Sequence, residues 1–294
     1  MTDPQASPRH PAGTTRPHWG AEALWQALVP LLPGLSIEVV QQLDSTNSEL
    51  TDRLRNASRV QQAPGDRRGG RVDDLFPQLL VAINQTAGRG RLGRRWHSAP
   101  GSSLTFSLAL PLRRTDWSGL SLAVGLAVAD ALDPAGGRIG LKWPNDLLLD
   151  GGDGAPGRKL GGILIESVGV GQQRAAVIGI GINVLPQPAA EADYGAAALA
   201  ELWPDATPQD TLARIGEPLV RALLAFDNDG FAPMRDGYAR RDALRGQRVR
   251  TTDATLPDGV ALGVDADGAL LVAADGDTRR VVSGEVSVRL AGAA

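Results

Sequence analysis

With 294 residues, 43% of them hydrophobic, the chain is long enough for one substantial core and a small second domain. Its 30 basic and 33 acidic residues leave a net charge of -3, which argues against bulk nucleic-acid affinity and makes any anion site a matter of local clustering. No apolar run reaches the roughly 18 residues that span a bilayer, no secretory signal pattern opens the chain, and zero cysteines with three histidines exclude disulfides and thiolate metal sites, so a cytoplasmic address is the default expectation.

Residues 1–18, rich in Pro, Thr, Gly and Arg, read as a disordered lead-in. Ala23, Leu24, Ala27, Leu28 and Leu31 recur at helical spacing before Pro33-Gly34, and Ser36 to Val40 has the pattern of a strand. In Asp44-Ser-Thr-Asn-Ser-Glu49, Thr46 and Glu49 spell a capping box for a helix through Leu50 and Leu54. Residues 55–74 have no apolar period and predict an inserted polar loop. The apolar run Leu79 to Ile83 predicts a strand leading into Asn84-Gln-Thr-Ala-Gly-Arg-Gly-Arg-Leu-Gly-Arg-Arg-Trp96. Alternation from Leu104 to Leu110 predicts a half-buried strand, and Leu120 to Ala131 a buried helix. Ile139 to Leu149 predicts a hairpin turning at Pro144-Asn-Asp146, followed by a glycine-rich loop at 151–158 and strands over 162–168 and 176–183. Thr207-Pro208 marks the start of a helix through Phe226, and a second helix is expected over 231–244. Beyond Gly246, short β segments punctuated by Asp258-Gly259, Asp267-Gly268 and Asp275-Gly276 predict a small barrel. Strands joined by short turns require antiparallel pairing, so the class is α+β with a mixed, largely antiparallel sheet. The expected division is a segment 1–18, a main domain 19–243 and a β domain 244–294.

The segment 84–96 packs three glycines, four arginines and an indole into a stretch too charged to be core. Glycines let backbone N–H groups approach a ligand, and guanidinium forks match phosphate or carboxylate, so the loop suits an anion. Gly88, Gly90 and Gly93 also spell G-x-G-x-x-G, but Pro100-Gly101 follows where a dinucleotide fingerprint needs a helix. Gly152 to Lys159 is a near miss to a P-loop without the adjacent Gly-Lys-Ser/Thr.

Four further segments are unusual for a purely structural sheet: Asp44-Ser-Thr-Asn47, Lys142-Trp-Pro-Asn-Asp146, Lys159-Leu-Gly-Gly-Ile-Leu-Ile-Glu166 and Gly179-Ile-Gly-Ile-Asn183. Together with Gly88-Arg-Gly-Arg-Leu-Gly-Arg-Arg-Trp96, in this order, the set resembles the catalytic domain of biotin protein ligases over roughly residues 36–290. That resemblance implies a class II aminoacyl-tRNA-synthetase-like catalytic fold with a small C-terminal SH3-like β-barrel. It also implies two steps: biotin plus ATP, with Mg²⁺, gives biotinyl-AMP and pyrophosphate, and a carrier-protein lysine then takes the biotinyl group.

By the same resemblance Lys159, Arg91 and Lys142 are the expected catalytic cations. Ser45, Thr46, Asn47, Gln85, Arg89, Gly90, Arg91, Lys159, Gly161 and Gly162 are expected to bind biotin. Arg89, Arg91, Trp96, Lys142, Asn145, Asn183 and Arg289 are expected on the ATP side, with Asp146 helping to hold the Mg²⁺ of the nucleotide or to position Lys142. The implied acceptor is the biotin carboxyl carrier protein of acetyl-CoA carboxylase or a related carboxylase, and homodimerisation, common among relatives, is not decided by any residue pattern. About 35 residues precede the first matched strand, fewer than a winged helix-turn-helix needs, so no operator DNA is expected. His97 departs from the aromatic usual after the tryptophan, and 55–74 and 151–158 are long insertions. A lipoate ligase, or a module that merely grips an anion, are the rival readings.

Overall fold

The alternating run at 104–110 forms an interior strand of a seven-stranded sheet in the computed structural model, which describes residues 19–61, 75–150, 157–170, 173–187, 195–253, 256, 258–282 and 288–290. In chain order the strands are β1 (Ser36–Leu43), β2 (Gln78–Gln85), β3 (Ser103–Pro111), β4 (Ile139–Lys142), β5 (Asp146–Leu149), β6 (Arg158–Val170) and β7 (Gln173–Asn183). They lie side by side as β1-β2-β3-β7-β6-β5-β4. Among the described residues only β1 and β2 run parallel, because helix α2 (Thr46–Gln61) carries the chain between them; the remaining neighbours are antiparallel. The sheet is thus mixed and largely antiparallel, as its short turns require.

Helices cover both faces. On one, α1 (Ala21–Leu28), α3 (Leu120–Leu132) and α4 (Pro208–Asp229) bury Leu28, Val124 and Leu219 with Phe106 and Leu108 of the sheet. On the other, Leu50 and Leu54 of α2 pack on Leu80, Ala109 and Val177. The expectation of a half-buried β3 is therefore corrected: its polar residues Thr105 and Ser107 are 1% and 0% exposed, under the start of α2. Thr105 Oγ1 donates to the Ala82 carbonyl at 2.8 Å, and Ser107 joins the site described below.

The capping box is also corrected by one residue. Ser45 is the N-cap of α2: its carbonyl accepts from Glu49 N–H at 3.0 Å and its hydroxyl from Ser48 N–H at 3.4 Å. The Glu49 side chain pairs with Arg53 at 2.8 Å, and the Thr46 hydroxyl, not used as a cap, meets Gln85 and Ser107. Because α2 continues to Gln61, the first part of the expected polar loop is helical; 62–74 lie outside the described residues, as do 1–18 and 151–156. Arg158, expected to end that loop, opens β6 and pairs with Glu201. Helix α4 starts as read from Thr207-Pro208, with the Thr207 hydroxyl accepting from Asp210 N–H at 3.1 Å. The helix expected over 231–244 is shorter: after a turn at Ala232–Met234, α5 (Arg235–Arg241) ends where Ala243 N–H donates to the Leu141 carbonyl beside β4.

The C-terminal strands β8 (Arg248–Thr251), β9 (Asp258–Val264), β10 (Leu270–Ala274), β11 (Asp277–Val281) and β12 (Val288–Leu290) form an antiparallel sheet ordered β11-β10-β9-β8-β12. Asp275 and Gly276, both at positive φ (52° and 86°), make the tight turn between β10 and β11. Asp258-Gly259, expected as a turn, instead opens β9, where a Cβ on Gly259 would fall 2.5 Å from Val272 Cγ1. Trp143 joins the two sheets: it is fully buried and its indole N–H donates to the Gly268 carbonyl at 3.0 Å. No described helix is long and apolar enough to cross a membrane.

Candidate active site

The N-terminus of α2, the ends of β5, β6 and β7, and the basic loop enclose a cavity of about 760 Å³. The loop is a short hairpin. Trp96 N–H donates to the Gly88 carbonyl at 2.9 Å, Gly90 N–H to the Arg94 carbonyl at 2.8 Å, and Arg89 bridges Arg95. No helix follows the glycines beyond a single turn at Arg91–Gly93, so the dinucleotide fingerprint lacks its structural context. Of the three glycines only Gly93 has positive φ (72°), and Leu92 beside it has φ 55°. Gly88 is needed for space, since a Cβ there would lie 2.5 Å from the Trp96 carbonyl.

One end of the cavity is cationic. The hairpin of β4 and β5 sets Lys142 opposite Asp146, and β6 brings Lys159 across from β5. The Asp146 carboxylate thereby stands between two ammonium groups: Lys159 Nζ donates to Oδ1 at 2.6 Å and Lys142 Nζ lies 3.7 Å from Oδ2. Arg91 reaches in from the loop to Asn145 Oδ1 at 3.4 Å, while Asn145 Nδ2 is held by the Ile163 carbonyl at 2.8 Å. Burial pushes the Arg91 guanidinium below its usual value, Asp146 pulling it back up and Arg94 adding to the depression. Three cations share one carboxylate, an arrangement suited to receiving additional negative charge. Among the described residues no group of three His, Cys, Asp or Glu side chains forms a metal cage.

The other end is neutral and built from hydroxyls and amides. Ser45, Thr46 and Asn47 are 4%, 3% and 3% exposed. Gln85 Oε1 accepts from Thr46 N–H at 2.7 Å and lies 3.1 Å from the Thr46 hydroxyl. Asn47 Nδ2 donates to the Leu164 carbonyl (3.2 Å) and Glu166 Oε2 (2.9 Å), and Ser107 Oγ stands 2.6 Å from both Asn47 Oδ1 and Thr46 Oγ1. Arg89, exposed on the loop, spans Ser48 Oγ at 3.3 Å and Glu166 Oε1 at 3.4 Å.

The expected residues thus divide by position. Ser45, Thr46, Asn47, Gln85, Arg89, Gly90, Arg91, Trp96, Lys142, Asn145, Asp146, Lys159, Gly162 and Asn183 line the one cavity. Gly161 does not; a Cβ there would meet the Gly181 carbonyl at 2.7 Å, so its missing side chain serves strand packing. Asn183 commits its amide N–H groups to the carbonyls of Lys159 (3.3 Å) and Ala197 (3.2 Å), bracing the rim from 195 to 197. Trp96 lies across β7, where a Cβ on Gly181 would be 2.4 Å from the indole, and its buried Nε1 has no partner among the described residues. Arg289 lies in β12, where its backbone pairs with Arg250 of β8, and its side chain lies outside the described residues.

Ser107 escaped the sequence reading of the site, and Glu166, Gly179 and Gly181, although inside segments singled out there, were given no role. A Cβ on Gly179 would fall 2.2 Å from Asn47 Oδ1, so the Gly-Ile-Gly alternation leaves a bare strand face for Asn47 and Trp96. That period of two was the available signal.

Two family models match the chain, the biotin/lipoate A/B protein ligase family over residues 76–183 and the biotin protein ligase C terminal domain over residues 246–289. The chain is 33% identical to a biotin–[acetyl-CoA-carboxylase] ligase of Mycobacterium tuberculosis, covering 85% of this chain and 88% of that one. It is 32% identical to the bifunctional ligase/repressor BirA of Escherichia coli, covering 88% and 76%. Among solved structures, a biotin protein ligase from Aquifex aeolicus in complex with biotin and ATP superposes with a TM-score of 0.69 at 25% identity, over 87% of this chain and 99% of the other.

Proposed function

Because the chain belongs to the biotin protein ligase family and is a ligase, we propose that it activates biotin with ATP and transfers it to a lysine of a biotin carboxyl carrier protein. In the first step a biotin carboxylate oxygen attacks the ATP α-phosphorus; the bond to the β-phosphate oxygen breaks, leaving biotinyl-5'-AMP and pyrophosphate. In the second, the neutral amine of the carrier lysine attacks the acyl carbon, the bond to AMP breaks, and the amine proton passes to solvent.

The observation that carries this reading is the pairing of a cationic end, Arg91, Lys142 and Lys159 around Asp146, with a neutral hydroxyl and amide end in one cavity. The neutral end suits a ureido ring, and the cationic end suits the carboxylate where it meets the α-phosphate. Lys159 and Arg91 face charge that develops on the phosphoryl oxygens; Asp146 sets the position of both lysines. Trp96, Asn145 and Asn183 border the nucleotide side. Mg²⁺ comes bound to the triphosphate, since Asp146 is already engaged by two ammonium groups. The acceptor is a carrier subunit of acetyl-CoA carboxylase or a related carboxylase.

Biotin-dependent exchange of labelled pyrophosphate into ATP tests the first step. Lys159→Ala should lower exchange by at least about 100-fold, the usual loss when a donor to a developing oxyanion is removed. Unchanged exchange in that variant removes Lys159 from the mechanism, and exchange supported by lipoate in place of biotin overturns the substrate.

A further inference from the structure

Glu166 ends the Lys159-Leu-Gly-Gly-Ile-Leu-Ile-Glu segment and touches no part of the cavity directly, yet it holds two residues that do. Its Oε2 accepts from Asn47 Nδ2 at 2.9 Å and its Oε1 pairs with Arg89 at 3.4 Å; the side chain is 26% exposed. An asparagine amide has one acceptor oxygen and one donor nitrogen, and both partners of Nδ2, the Leu164 carbonyl and Glu166, are acceptors. The amide cannot turn over without setting its oxygen against a carboxylate. Asn47 Oδ1 therefore faces Ser107, 2.6 Å away, and takes that hydroxyl's single proton. The contact between Ser107 and Thr46, also 2.6 Å, then leaves the Thr46 proton directed at protein, toward Ser107 or toward Gln85 Oε1. Thr46 meets a ligand through its lone pairs.

We infer that Glu166 is a positioning residue that fixes the proton polarity of the Asn47-Ser107-Thr46 chain, so that this wall of the pocket accepts hydrogen bonds and selects a head group that donates N–H to it. The inference rests on the ligase reading above, in which that head group is the ureido ring of biotin. The same carboxylate tethers the basic loop through Arg89, so the wall and the loop above it are registered by one side chain.

The test compares Glu166→Ala, Glu166→Gln and Ser107→Ala in pyrophosphate exchange, with direct titration of biotin onto each folded variant. Glu166→Ala should raise the KM and Kd for biotin by about 10- to 100-fold, the range for losing a hydrogen bond to a charged group, with a smaller rise in the KM for ATP from the released loop. Glu166→Gln keeps a carbonyl for Asn47 and should recover most of that loss. Ser107→Ala breaks the chain without touching Glu166 and should raise the biotin KM as well, which keeps the test open if Glu166→Ala does not fold. A wild-type biotin KM in Glu166→Ala or in Ser107→Ala overturns the inference, as does an equal rise in the KM for ATP, the mark of a merely structural role. Biotin binding by the wild-type chain without exchange counts against the ligase reading alone, the inference then being decided by the Kd values.

Discussion

Asp146 is the residue on which the cationic end depends. Lys142 is 7% exposed and Asp146 11%, so their attraction is poorly screened and the loss of the carboxylate leaves a buried ammonium without its acid. Asp146→Ala should reduce unfolding free energy by about 3 kcal/mol in urea titration, as when one member of a buried pair is removed, and should also suppress exchange. A loss below about 1 kcal/mol would mean that Lys142 is compensated elsewhere, as an exposed pair would be. The hairpin carrying Lys142 and Asp146 was legible from its Pro-Asn-Asp turn, whereas the roles of Lys142, Asp146 and Lys159 came from the resemblance of their segments to biotin protein ligases. Ser107 was not: in an alternating strand a serine reads as the solvent side, and only the placement of α2 over that side turns it inward.

At the scale of elements, β7 shows how absent side chains make a site. Gly181→Ala would place a methyl 2.4 Å from the Trp96 ring, and since the other side of the contact is strand backbone, the indole must move. Exchange should fall about 10-fold or more, with little change in melting temperature; normal exchange would show that the seat of Trp96 is irrelevant to turnover. Thr207→Ala is the control from a helix remote from the cavity. Losing that cap should cost about 1 kcal/mol and leave the kinetics intact, whereas altered kinetics would tie α4 to the site. The cap of α4 was readable because Thr207, Pro208 and Asp210 are adjacent. The start of α2 was misread by one residue because Ser45, Thr46 and Ser48 all have cap chemistry, and the choice among them was made by Gln85 and Ser107, far away in sequence.

At the scale of the whole molecule, the main sheet and the C-terminal sheet meet around Trp143, Tyr238 and Asp242. Asp242 bridges Leu141 of β4, its Oδ1 accepts from Leu244 N–H at 2.9 Å, and its buried Oδ2 has no partner among the described residues. Burial pushes its carboxyl up, against backbone N–H bonds from Leu244 and Arg245 and the charge of Arg245 that favour ionisation; the nearby Tyr238 hydroxyl is itself pushed well up by burial. A raised carboxyl favours the folded state fully below the unfolded value near pH 3.9 and loses that contribution as pH rises through the folded value. Asp242→Asn removes the titration, so it should raise the melting temperature more at pH 7 than at pH 4. Equal shifts at both would assign the effect to packing. None of this junction was visible in the sequence, where Asp242 is one acid in a charged run; the C-terminal β pattern itself was visible from its turn glycines.

The arginine hairpin is closed at its base by Trp96 N–H donating to the Gly88 carbonyl and, one step further, by Gly90 N–H donating to the Arg94 carbonyl. Its tip is held instead by side chains, Arg89 to Ser48 and Glu166 and Arg91 to Asn145. Residues 89–95 are thus registered against the pocket by side chains more than by backbone, so a charge lost at Arg89 or Arg91 would loosen the loop without re-threading the sheet.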